Sequence, residues 1–236
     1  TATGGGTDYT STLTNANFSN GVTISGGTIT VPAGVTSFTV TVPTTSDTSD
    51  EANETYTLNV GAASGTGTIT DEDAAPTISS VTADTQTEGT DLVHTVTLSN
   101  ASSSSTSFAY SLGGGSATGG GTDYTTPPTF SNGVTLVAGN LIVPAGVTSF
   151  TITVPTTLDT IDEGASETYS VSVGGVSNTG TISDDDNAPT ISSVSDASAT
   201  EATSIVHTVT LSNASSVATT YSLSLVDGTA TGSGTD

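Results

Sequence analysis

Apolar and polar residues alternate along most of this chain. In Leu92-Val-His-Thr-Val-Thr-Leu98, the residues Leu92, His94, Val96 and Leu98 fall on one face. In Phe150-Thr-Ile-Thr-Val154, threonines separate Phe150, Ile152 and Val154. A period of two is that of a half-buried β-strand, and both Thr and Val favour strands. No segment shows the spacing of an amphipathic helix. His94 lies on the apolar face, which predicts a packed, hydrogen-bonded imidazole rather than a ligand.

The pattern repeats. Ala75–Val81 recurs at Ala188–Val194, His94–Ser102 at His207–Ser215 and Gly4–Thr10 at Gly119–Thr125. Phe18–Thr23 recurs at Phe130–Thr135 and Val31–Thr39 at Val143–Thr151, so the offsets run from 112 to 115 residues. This period is that of a whole domain rather than a short solenoid repeat. Acidic triplets followed by Pro, at Asp71-Glu72-Asp73 before Pro76 and at Asp184-Asp185-Asp186 before Pro189, mark the junctions. The expected organisation is the C-terminal part of one repeat (residues 1–73, strands D–G), a complete repeat (74–187) and the N-terminal part of a third (188–236, strands A–C). Thr1–Asp8 nearly recurs at Thr229–Asp236, and with no Met in the chain the sequence reads as an excised piece of something longer.

Within residues 74–187 seven strands are expected: A at Thr77–Ala83, B at Leu92–Asn100, C at Ser107–Leu112 and D within Phe130–Val137. E follows at Val147–Pro155, F at Thr168–Val173 and G at Gly180–Ser183. Many short strands with Gly-rich turns predict an all-β fold of tandem seven-stranded antiparallel Greek-key sandwiches, Ig-like in type. Gly113–Gly115 and Gly119–Gly121 are read as a flexible C–D loop. No Lys and no helix follow them to make a phosphate cradle.

Composition changes the picture at this point. The 236 residues carry 23 acids, no Lys and no Arg, for a net charge of −23. Low hydrophobicity with high charge is a signature of disorder, but the alternation argues for folded strands. Nothing in the chain neutralises phosphates, which excludes nucleic acid as a partner, and no apolar run is long enough for membrane insertion. Without Cys there is no disulfide and no thiol chemistry. The natural partners of this surface are cations.

If the strands run alternately up and down, A, C, E and G end at one pole. The A–B loop brings Glu88 and Asp91 there, and the C–D loop Asp123. The E–F loop brings Asp159, Asp162 and Glu163, with Glu167 at its end, and the segment after G brings Asp184, Asp185 and Asp186. Like charges this close repel and raise one another's pKa. Ca²⁺, with six to eight oxygen ligands drawn from several loops, offsets that cost. Mg²⁺ holds its waters more tightly, and zinc prefers His or Cys. A solvated acidic surface is the alternative.

The ordered set Glu88-Gly89, Gly121–Tyr124, Val154-Pro155, Asp159–Glu163, Glu167–Tyr169 and Gly180–Asp186 resembles the Calx-beta domain. That resemblance implies a seven-stranded sandwich binding calcium at one pole. By position it makes Glu88, Asp123, Asp159, Glu163, Asp184, Asp185 and Asp186 ligands. In the first segment the equivalents are Asp8, Asp47, Glu51, Asp71, Glu72 and Asp73. Asp162, its counterpart Asp50, and Glu201 complete the candidate metal set. Two departures are Ala202 where Gly would follow Glu201, and Glu72 inside the first triplet.

Near-identical, Lys-free copies in tandem also resemble the extender region of giant bacterial RTX-type surface adhesins. The expected function is then a calcium-rigidified spacer at an extracellular, bacterial cell-surface location, holding a terminal binding domain away from the cell. Its partners would be neighbouring repeats. An adhesive module for sugar or protein, or a calcium sensor, is the alternative. No enzyme is expected: a carboxylate pair for glycoside hydrolysis has no accompanying pocket signature, and no Ser–His pair stands outside the repeat. Tyr9, Tyr56, Tyr124 and Tyr169 are read as core anchors. The two partial repeats are expected to complement each other, by head-to-tail exchange between copies because they leave opposite poles of the middle unit.

Overall fold

The computed structural model describes residues 1–230. In the first segment strands β1 (Thr23–Ser25) and β2 (Thr28–Thr30) form one hairpin, and β3 (Glu54–Val60) and β4 (Ala63–Ile69) another. The middle unit holds β5 (Ile78–Val81), β6 (Asp84–Thr87), β7 (Leu92–Leu98), β8 (Thr106–Gly113), β9 (Thr129–Phe130), β10 (Thr135–Val137) and β11 (Asn140–Val143). It continues with β12 (Ser149–Val154), β13 (Ile161–Asp162), β14 (Glu167–Val173) and β15 (Val176–Ser183). The third segment holds β16 (Ile191–Val194), β17 (Val209–Leu211) and β18 (Ala214–Ser215). Among the described residues the one helix is a 3-10 turn at Asn15–Asn17, and no helix is long and apolar enough to cross a membrane.

Two sheets face each other in the middle unit. One has the order β5-β7-β12-β9, the other β10-β11-β8-β14-β15-β6. The chain crosses repeatedly from one sheet to the other, among other places between β7 and β8 and between β12 and β14, a Greek-key path. The core sits between them. Leu92, Val96, Leu141, Val143, Ile152, Val154, Val171 and Val173 are fully buried, all within this unit. Each such side chain contributes about 1.5–3 kcal/mol by leaving water.

Several strands depart from the expected ranges. Strand A is two pieces. β5 pairs antiparallel with β7, and the chain then crosses at Thr82–Ala83 so that β6 pairs parallel with β15. The sandwich is therefore not purely antiparallel. Strand D is divided among β9, on the β12 edge, and the hairpin β10–β11, which edges the other sheet. The hairpin turns at Ala138 and Gly139, both at positive φ (48° and 82°), the backbone of a two-residue turn between twisted strands.

His94 is fully buried. Its Nδ1 lies 2.7 Å from the Thr82 carbonyl, so that nitrogen carries the proton and donates. Its Nε2 then accepts from the Tyr169 hydroxyl at 2.9 Å. Tyr124 and Tyr169 are 3% and 1% exposed, as core anchors should be. Tyr9 and Tyr56 are half-buried and stack with ring centroids 4.7 Å apart. The recurrence of Thr1–Asp8 at Thr229–Asp236 lies mostly outside the described residues.

Candidate metal centre

Four loops converge at one end of the middle sandwich, each tied down by backbone hydrogen bonds. Glu88 follows β6, and its N–H donates to the Ser183 carbonyl at 3.0 Å, fixing the A–B loop to the end of β15. Thr157 N–H donates to the Asp123 carbonyl at 3.0 Å, joining the C–D and E–F loops. The C–D loop is not the flexible linker its glycines suggest. Ala117 N–H donates to the Thr168 carbonyl at 2.9 Å, and Gly115 lies so close that a Cβ would stand 2.0 Å from that oxygen. Glycine there permits contact between loop and strand backbones, which holds Asp123 over the pole.

The acids organise one another's backbones. Asp184 Oδ2 accepts from the N–H groups of Glu163 and Gly164 at 3.1 and 3.2 Å, and its Oδ1 from Asp186 N–H at 3.1 Å. Asp159 Oδ1 accepts from Ile161 N–H at 2.7 Å, and Asp123 from Thr118 N–H. The first segment repeats the pattern. Asp71 accepts from Glu51 and Asp73 N–H, Asp47 from Ser49 N–H, and Asp8 from Thr3 N–H.

Three groups of carboxylates result, each offering oxygens within 4.8 Å of one another: Glu88–Asp159–Asp186, Glu88–Glu163–Asp184 and Asp123–Glu163–Glu167. In the first segment Asp8, Glu51 and Glu54 make the counterpart of the last group. They line a polar cleft together with Asp47, Asp71, Glu72 and Asp73. Glu72 is turned toward Ser46, whose hydroxyl donates to it at 2.6 Å.

Not every candidate joins a group. Asp185 is exposed and shares a hydrogen bond with Glu88 at the rim of the cluster. Asp162 is 4% exposed, but its Oδ2 accepts from the Ser215 hydroxyl of the next segment at 2.7 Å. Asp50 accepts from Ser102 in the same way at 2.7 Å. Glu201 is exposed and stands in none of the carboxylate groups among the described residues. Conversely, Glu167 and Glu54 stand in the groups although the ligand set drawn from the sequence left them out. The signal was the copied Glu-Thr-Tyr at 54–56 and 167–169.

The electrostatics are those of compressed negative charge. Burial, then the hydrogen bond to Asp185, pushes Glu88 up to about 7. Burial, then the hydrogen bond to Asp123, pushes Glu167 up to about 7 as well. Glu163 and Asp186 are raised by burial and by the surrounding carboxylates. Glu51, Glu54 and Asp73 are raised for the same reasons in the first segment.

Glu88 Oε1, Glu167 Oε2 and Asp186 Oδ2 are buried and make no hydrogen bond. Buried acceptors without a donor are costly, and no Lys or Arg exists to supply one. Hard cations held by the carboxylate groups these residues belong to would satisfy all three. The all-oxygen donor set, without Cys and with His94 buried away in the core, fits Ca²⁺.

No curated protein matches the chain. The Calx-beta domain profile matches residues 1–83 and again residues 71–181, one match for the first segment and one for the middle unit. With its two-sheet sandwich and one acidic pole, the chain belongs to the Calx-beta domain family, a non-catalytic β-sandwich family of the calcium-binding type.

Proposed function

We propose that this chain is a calcium-stiffened structural spacer, a run of extender repeats of an extracellular, bacterial cell-surface adhesin. The observation that carries the calcium part is the set of three buried, unpartnered carboxylate oxygens at one pole. Glu88, Asp123, Asp159, Glu163, Glu167, Asp184 and Asp186 would hold the metal. Because Glu88–Asp159–Asp186 and Asp123–Glu163–Glu167 share no residue, the pole suits at least two ions. Calcium would supply charge neutralisation and fix four loops together where the next unit begins.

The spacer part rests on repetition. Successive units carry the same residues at the same pole, which sets length rather than new recognition. Tyr124 and Tyr169, the aromatics a sugar would stack on, are buried.

The same reading extends to the flanking segments. Ile191 and Ile205 are 40% and 55% exposed, whereas their counterparts Ile78 and Leu92 are 7% and 0%. Residues 1–73 carry copies of the strands that cover Ile78 and Leu92, and Tyr56 is the counterpart of Tyr169, which bonds His94. The two segments are complementary halves, each completed by an adjoining repeat or by head-to-tail exchange between copies. Light scattering over a dilution series tests exchange: mass rising with concentration supports it, and a monomer throughout contradicts it.

Small-angle scattering of the chain with calcium and with chelator tests the spacer. A longer maximum dimension in calcium is expected, and equal dimensions would count against it.

A further inference from the structure

The junctions between units are built from the same two residues on each occasion. At the first, Asp50 forms a parallel bridge with Ser102. Asp50 N–H donates to the Ala101 carbonyl at 3.0 Å, and Ser103 N–H donates to the Asp50 carbonyl at 2.9 Å. The Ser102 hydroxyl donates to Asp50 Oδ2 at 2.7 Å. At the second, β13 pairs parallel with β18, setting Asp162 against Ser215. Ser216 N–H donates to the Asp162 carbonyl at 2.8 Å, and the Ser215 hydroxyl donates to Asp162 Oδ2 at 2.7 Å.

We propose that Asp50 and Asp162 are junction latches rather than metal ligands: the E–F loop of each unit is a docking surface for the B–C turn of the next copy of the repeat, closed by an aspartate–serine hydrogen bond. The inference deepens the spacer reading and rests on it.

Three observations support the assignment. Among the described residues neither aspartate belongs to a carboxylate group, although each lies in an acidic E–F loop among residues that do. One partner of each bond is buried, Ser102 at the first junction and Asp162 at the second, each 4% exposed, and partial shielding from water strengthens a hydroxyl-to-carboxylate bond. The turn is anchored in its own unit, since Gly146 N–H donates to the Ser102 carbonyl at 2.9 Å. Moving the latch therefore moves the sandwich behind it.

The contact extends beyond the pair. Gly164 has φ +71°, and a Cβ on it would stand 3.1 Å from Val217 Cγ2 of the next segment. By repeat position the first junction has Ala52 and Ser104 at these places. A glycine on the loop meets a bulkier valine on the turn at the second junction, and two small residues stand at these places at the first. Metal-binding Asp159 and Glu163 flank Asp162 in the same loop, so fixing the loop by calcium also positions the latch.

The test is a distance distribution between spin labels at Ser64→Cys and Ser177→Cys in the full chain. Both sites are exposed and the chain has no other cysteine. In calcium the parent should give one narrow peak. Asp50→Ala and Ser102→Ala should lose it, and Asp50→Asn, which keeps an acceptor oxygen, should retain it. Calorimetry on the same variants should count as many calcium ions as in the parent. A narrow peak in Asp50→Ala, or a calcium ion lost in Asp50→Asn, would overturn the latch. If the variants lose the peak but the parent keeps it in chelator, the latch stands and calcium stiffening of the spacer is what fails.

Discussion

The ring of Tyr169 lies flat against the backbone of Gly180 on the neighbouring strand: a Cβ at Gly180 would stand 2.3 Å from Cζ. Tyr56 and Gly67 repeat the arrangement at the same separation. The glycine of Gly-Thr-Ile is therefore a packing requirement, because any side chain would displace a buried aromatic. Gly180→Ala should destabilise the middle unit by about 1–3 kcal/mol through overpacking. Thermal melts in excess calcium check it, with a fall of roughly 10 °C expected for a domain of this size.

Tyr169 also holds His94. Removing its hydroxyl leaves the buried His94 Nε2 without a donor, the expensive half of a broken hydrogen bond. Tyr169→Phe should cost about 1–3 kcal/mol while keeping the fold and the calcium count. Denaturant unfolding read beside calcium calorimetry separates a core effect from a pole effect.

Without metal, stability should fall as pH rises. Glu88 and Glu167 stand at about 7 in the folded chain against a usual 4.5. Between those values the folded state binds more protons than the unfolded one, so each step upward in pH favours unfolding. In chelator, the melting temperature should be higher at pH 5 than at pH 8. In calcium the order should reverse, because the ion competes with those protons. A metal-free melt that rises from pH 5 to 8 would refute the electrostatic account of the pole.

Neutralising the same two acids should have opposite effects in the two conditions. Glu88→Gln with Glu167→Gln relieves repulsion in chelator and raises the melting temperature there. It removes one ligand from each of the three carboxylate groups, so calcium should stabilise the variant less than the parent. Paired melts of parent and variant decide this.

Much of this was legible in the sequence, for identifiable reasons. Alternation placed Leu92, His94, Val96 and Leu98 on one buried face. Up-and-down counting gathered Glu88, Asp123, Asp159, Glu163 and Asp184–Asp186 at one pole. The crossing at Thr82–Ala83 was not legible, because neither Gly nor Pro marks it. β11 escaped because the positive-φ turn at Ala138-Gly139 passes for loop. Glu167 was placed at the pole but left out of the ligand set, and it opens a strand instead of lying in a loop. Asp50 and Asp162 could not be told from ligands by spacing. Only their pairing with the next unit distinguishes them.

The central claim is that calcium completes the acidic pole, and the most direct measurement is a thermal melt in calcium and in excess chelator. With free calcium at about 100 times Kd, each site adds about 2.7 kcal/mol, a large share of a small domain's stability. The account predicts a melting temperature that climbs with calcium concentration and falls several degrees in chelator. A melt unchanged between the two conditions would contradict it.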